Sequence, residues 1–151
     1  MDAPFEIDLQ TGTLKIPQIP LTLVPKQPLA AFLATKTRVT GFKEAASNDG
    51  WQRYRLSQPL ADGQMLGLSL FFFNGILLKI RFDYRSQHES DWSNWSKQRE
   101  LARSETFREE IARQLGRRGR FPWGLADAGY DDKSGSAVLF INYGDLDRRP
   151  K

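Results

Sequence analysis

The chain has 151 residues, 40% of them hydrophobic, with 10 Phe, 4 Trp, 4 Tyr and no cysteine. That is enough for one domain burying roughly two-thirds of its unfolded surface, and it excludes disulfides, thiolate metal sites and cysteine nucleophiles. The net charge is +4, and residues 97–120 hold eight basic side chains against four acidic ones, so attraction to an acidic partner is expected to act mainly through that segment.

The start, Met1 to Asp8, is acidic and lacks the apolar stretch of a secretion signal, and the expectation is a soluble, cytoplasmic protein. Phe5 to Leu9 alternates with period two, Thr11-Gly12 makes a turn, and Thr13 to Ile16 returns as a partner strand. Pro17, Pro20 and Pro25 confine Leu21 to Val24 to an edge strand or an extended crossover. Pro28 at a first helical position, followed by Leu29 to Ala34, predicts a short helix. Arg38 to Phe42 and Arg53 to Leu56 are read as strands around a polar loop, Ala46 to Gly50.

The strongest local signal is a hairpin. Leu66 to Phe73 and Ile76 to Tyr84 are joined by Asn74-Gly75, the favoured pair for a two-residue type I′ turn. Alternation puts Leu66, Leu68, Leu70 and Phe72 on one face with Ile76, Leu78, Ile80 and Phe82, and Leu77, Lys79, Arg81 and Asp83 on the other. That other face is apolar near the turn, which predicts that something covers the turn end. A bilayer would have to accept Lys79 and Arg81 at about 2.5–3.5 kcal/mol each, so no membrane partner is expected.

A long helix follows, over about 93–115, with Ser93 as its cap and Gly116 as its stop. At 100° per residue Phe107, Ile111 and Leu115 share a stripe, with Leu101 at its margin. The stripe continues back through Ser104, Glu100 and Lys97, so Glu100 is predicted to sit in a structural polar network, bonded to an arginine of a neighbouring strand. A final hairpin, Trp123 to Tyr130 and Ala137 to Tyr143, closes through Asp131-Asp132-Lys133-Ser134-Gly135. Residues 144–151 read as a frayed tail. Together these elements predict a single α+β domain over 1–151, a mostly antiparallel β-sheet with the long helix packed on one face.

Chemistry-bearing patterns are weak. His88 is the only histidine, with no nucleophile or orienting partner that spacing identifies. Adjacent Asp131 and Asp132 read as turn residues rather than as an acid/base or metal pair. Gly116-Arg117-Arg118-Gly119-Arg120 has neither the spacing nor the position of a phosphate loop. No catalytic residue, metal site or cofactor is therefore expected. Arg113, Arg117, Arg118 and Arg120 are the candidate charged half of a partner-binding surface, with Trp92 and Trp95 as candidate anchors. The same arginines define the alternative, a nucleic-acid-associated module, which the four acidic residues of the helix disfavour.

The run Trp92-Ser93-Asn94-Trp95-Ser96, then Glu100 in a basic helix, Phe121-Pro122-Trp123-Gly124, Tyr130-Asp131 with Ser134-Gly135, and Ile141-Asn142-Tyr143 resembles small bacterial immunity proteins of polymorphic toxin and type VI secretion systems. The resemblance covers roughly the last third of the chain, and more loosely the Ile7 to Ile16 hairpin. It implies a non-enzymatic α+β protein that neutralises a cognate toxin or effector by binding it and occluding its active site. It transfers no catalytic residue and no contact residue.

Overall fold

Alternating apolar runs punctuated by glycine turns make most of the chain strand. In the computed structural model, which describes residues 5–19, 21–35, 42–59, 64–86, 97–133 and 135–144, the described elements in chain order are these: β1 (Glu6–Ile7), β2 (Leu14–Ile16), β3 (Leu21–Leu23), α1 (Leu29–Thr35), β4 (Lys43–Asn48), β5 (Trp51–Pro59), β6 (Gln64–Phe73), β7 (Ile76–Ser86), α2 (Lys97–Leu115), β8 (Gly119–Phe121), β9 (Gly124–Asp131) and β10 (Ser136–Asn142). They form a three-stranded sheet, β1-β2-β3, and a seven-stranded sheet in the order β4-β5-β6-β7-β10-β9-β8. Every strand pair is antiparallel. The chain leaves β7 through α2 and returns as a second meander, whose last strand, β10, closes against β7. This is the α+β architecture that the pattern predicts, with α2 packed on β9 and β10.

One face of the large sheet carries the core. Tyr54, Leu56, Leu68, Leu70, Phe72, Ile80, Phe82, Leu139 and Ile141 are buried there, and register places them opposite one another or within one row across the three strand pairs β5–β6, β6–β7 and β7–β10. Two aromatic clusters tie the covering elements to this face. Phe107 of α2 and Phe5 beside β1 meet Phe82 edge-on or tilted, at 5.9–6.0 Å between centroids. Phe32 of α1 meets Phe42, Tyr54 and Phe72 at 5.1–5.4 Å. Truncating such a fully enclosed phenylalanine to alanine costs about 3–5 kcal/mol. Gln114 stitches β1 to α2, accepting from Ile7 N at 2.7 Å and donating to Phe5 O at 2.9 Å.

Both tight hairpins of the first half use the left-handed region at two successive residues. Asn74 and Gly75 have φ of 49° and 84°, as the type I′ turn requires. Asp49 and Gly50 do the same at 52° and 87°, so most of the stretch expected as a polar loop, Ala46 to Gly50, is the end of β4 and a two-residue turn. Of the strand expected over Arg38 to Phe42, residues 38–41 lie outside the described residues and Phe42 stands just before β4; Ser93 and the tail from 145 on also lie outside the described residues. β8 is a further strand, in a stretch expected only as an arginine-rich loop.

The β6–β7 face assignment needs one correction. A bulge between Phe71 and Phe72 pairs Phe71 with Lys79 but Phe72 with Leu77, so the extra residue shifts the parity of β7 near the turn. Leu77 is fully buried and Ile76 is 37% exposed, the reverse of strict alternation. At the turn end residues 27–29 pair edge-on with β7, Leu77 N donating to Gln27 O at 2.9 Å and Leu29 N to Gly75 O at 2.8 Å. The cover expected over the outer face there is not what these bonds supply, since Leu77 is turned to the core side and Ile76 is exposed. On α2 the stripe of Glu100, Ser104, Phe107, Ile111 and Leu115 is buried, while Leu101 is 44% exposed. Gly116, at φ 82°, ends the helix with its N–H on Ala112 O, the glycine stop that the sequence predicts.

Candidate interaction surfaces

The four arginines singled out in the sequence do not make one free basic face. Arg113, in the last turn of α2, is ion-paired with Glu110 of its own helix, and that hydrogen bond above all holds the Glu110 carboxyl below its ordinary range. Arg118 donates to Asp127 Oδ1 of β9 at 2.9 Å, which raises the guanidinium further. Arg117 lies 4.2 Å from the centre of the Phe121 ring, and Phe121 in turn stacks on Trp123 at 5.0 Å and 2°. Arg120, on β8, is exposed and lines an open cavity of about 590 Å³ with Lys26, Phe121, Trp123 and Tyr143 among its other walls. Two charges are thus compensated locally, and the other two sit along a ring stack at the sheet edge. Trp92, Trp95 and His88 lie outside the described residues.

The ring stack is fixed from beneath. Trp123 Nε1 donates to Leu9 O at 2.9 Å, and its indole lies over Gly12, where any Cβ would collide with it. Tyr143 donates its hydroxyl to Gly12 O at 2.6 Å. The Trp123 contacts join the β1–β2 turn to the β8–β9 turn, and the Tyr143 bond joins it to the end of β10. Burial drives the Tyr143 phenol well above its ordinary range.

The carboxylates with chemical potential are engaged. Glu100 is 4% exposed; one oxygen accepts from Arg103 Nη1 at 2.7 Å and the other from Ala137 N at 3.1 Å. The arginine that meets it comes from the next turn of α2, not from a neighbouring strand as expected, because i and i+3 share a helix face. The bond to Ala137 clamps α2 onto β10. Asp131 is ion-paired with Arg81 and accepts from Lys133 N at 3.0 Å, and Asp132 is an exposed turn residue. Among the described residues no group of three His, Asp or Glu side chains is placed to hold a metal ion, and no helix is long and apolar enough to cross a membrane.

A second surface was not foreseen. The face of the large sheet opposite the core collects the polar parity of every strand. One row across it reads Arg53, Phe71, Lys79, Asn142, Leu125, Arg120. The adjacent row reads Lys43, Arg55, Ser69, Arg81, Phe140, Asp127. Arg53 and Lys79 stand over the Phe71 ring at 5.9 and 5.1 Å, and Arg55 donates to Ser69 Oγ at 3.4 Å. The signal was available as the period-two positions between Tyr54, Leu56, Ile80 and Phe82, but only strand register brings those positions side by side.

The class that this geometry defines is an α+β domain whose seven-stranded antiparallel sheet is covered on one face by two helices and a small sheet. No protein-family model matches the chain, and no curated protein does. A solved structure does: a chain of "Rhs1-CT in complex with cognate immunity protein RhsI1" superposes with a TM-score of 0.57 over 92% of this chain and 86% of that chain, at 17% identity. At that identity the likeness is one of fold.

Proposed function

We propose that the protein is a non-enzymatic binding protein, an immunity protein that neutralises a cognate bacterial toxin by occluding its active site. The observation that carries this reading is the fold likeness over nearly all of both chains to a chain of the complex of Rhs1-CT with its cognate immunity protein. Two features of the geometry support it. Glu100 and Asp131, the carboxylates available for acid–base work, are held in structural bonds. The large sheet also offers an extended, polar, cation-rich face of the kind that steers an acidic partner. The nucleic-acid alternative is weakened because Arg113 and Arg118 are bonded to carboxylates.

The test is a growth assay. The toxin domain encoded beside this chain is expressed in a heterologous host with and without it. Growth arrest relieved only when this protein is present supports the proposal. Arrest that persists while both proteins accumulate in soluble form refutes it.

A further inference from the structure

We propose that the open sheet face centred on Phe71, framed by Arg53, Arg55 and Lys79, is the surface that receives the partner, and that the partner presents carboxylate side chains around an apolar anchor. The partner's identity as a toxin rests on the function proposed above; the location and chemistry of the surface do not.

The argument begins with what these cations do for the fold. Tyr54 and Leu56 enter the core between and beside Arg53 and Arg55, so alternation alone sends the two guanidiniums to the outer face. Lys79 and Arg81 reach the same face around buried Ile80. Across β5, β6 and β7 each row carries two cations two strands apart, about 10 Å, with a neutral residue between them, while at the β4 edge Lys43 stands directly opposite Arg55. The separation across β6 lies near the screening length at physiological salt, so the charges on either side of it add to one field, and the directly opposed pair at the β4 edge, a destabilising arrangement in a sheet, adds to it. Arg53 Nε is buried with no acceptor among the described residues. That atom is closed to an incoming group; the exposed guanidinium on this face is that of Arg55, and Arg–carboxylate pairs are among the strongest side-chain hydrogen bonds. Phe71 is half-buried between two cations, an apolar centre with a charged rim, which is the arrangement of an interface hot spot.

The patch is too short for a nucleic-acid track. The third row along the same strands reads Ser57, Gly67, Asp83, and Asp83 lies over Gly67 so closely that a Cβ there would meet its carboxylate. Asp127 and Asp131 stand on the same face beyond β10. A phosphate backbone extended across the sheet would run into these carboxylates, whereas a compact acidic protein patch fits within the frame of cations.

The test uses labelled poly-L-glutamate as a carboxylate-bearing polypeptide and a DNA duplex of matched charge, each at low salt, with the full chain. Arg53→Gln/Lys79→Gln removes two charges from the face, and Lys15→Gln/Lys133→Gln removes two exposed charges elsewhere. Melting curves establish that all three proteins are folded. The expected result is amide shifts centred on β5, β6 and β7, an affinity loss of about tenfold or more for the first pair, and a change within about twofold for the second. Equal losses for both pairs, or shifts centred on residues 113–120, overturn the location. Tighter binding of the duplex than of poly-L-glutamate overturns the carboxylate assignment. Applied to the toxin domain, the first pair separates the two proposals. Wild-type protein that fails to neutralise removes the function while the poly-L-glutamate map still decides the face; neutralisation undiminished in the first pair removes the face alone.

Discussion

Replacing Tyr143 by Phe deletes one oxygen at the junction of the two sheets. The hydroxyl donates to Gly12 O in a buried setting, so the substitution leaves a buried carbonyl without that donor, at a cost of about 1–3 kcal/mol. For a chain of this size each kcal/mol lowers Tm by about 2–4 °C, which gives a fall of roughly 2–12 °C at neutral pH. The pH dependence supplies a second reading. Burial raises the folded-state pKa of Tyr143, so its stabilisation is complete below the unfolded phenol value of about 10 and is lost as pH rises toward the folded value. Above pH 10 the unfolded chain releases the proton and the folded chain keeps it, so stability falls by about 1.4 kcal/mol per pH unit from this group. The variant lacks that group, and the gap between wild type and variant closes between about pH 10 and 12. Tyr54, also raised by burial and then by its bond to Glu44, contributes a slope common to both proteins. The assay is thermal and chemical denaturation from pH 7 to 11.5. Identical Tm values at pH 7, or a gap that stays constant through pH 11.5, would refute the reasoning.

Glu100→Ala is expected to destabilise by about 3–5 kcal/mol, because it leaves Arg103 and the Ala137 N–H without their shared acceptor; Glu100→Gln, which keeps an oxygen for Ala137, loses less, and urea titration ranks the two. Gly12→Ala forces the Trp123 indole from its seat at a residue already at φ 78°, so tryptophan fluorescence shifts and Tm falls. Gly75→Ala, at φ 84° with open space around it, carries only the left-handed penalty of about 1–2 kcal/mol, so a fluorescence change as large as that of Gly12→Ala would contradict the packing account. Arg113→Ala, which removes an exposed pair within one helix, leaves Tm within experimental error.

Much of this fold is legible in the residues, and the failures have identifiable causes. Asn74-Gly75 and Gly116 were read correctly because each must adopt a positive φ that few residues tolerate. Asp49-Gly50 carries the same signal, but Lys43 to Asn48 lacks the apolar alternation of a covered strand, so Ala46 to Gly50 reads as a polar loop; β4 is an edge strand paired only with β5. The bulge at β6–β7 leaves no mark in a run of Phe and Leu where every residue is apolar, so Leu77 and Ile76 exchanged places. β8 is three residues long and is held by pairing with β9, a tertiary cause invisible to local periodicity. The interaction surface shows the same limit more sharply. Charge counted along the chain points to residues 97–120, because helices concentrate charge in sequence. Strands disperse it: the Arg53/Arg55 pair and the Lys79/Arg81 pair lie about two dozen residues apart in the chain and become neighbours only through register.

The central claim is that the protein works by stoichiometric binding. Purified protein titrated calorimetrically into the toxin domain it is proposed to neutralise, with toxin activity followed in the same samples, tests that claim most directly. The account predicts saturation at a fixed stoichiometric ratio, with activity falling in proportion to complex formed and binding weakening as salt rises. No heat of binding by a folded, active toxin domain, or activity lost at substoichiometric amounts as an enzyme would cause, would contradict it.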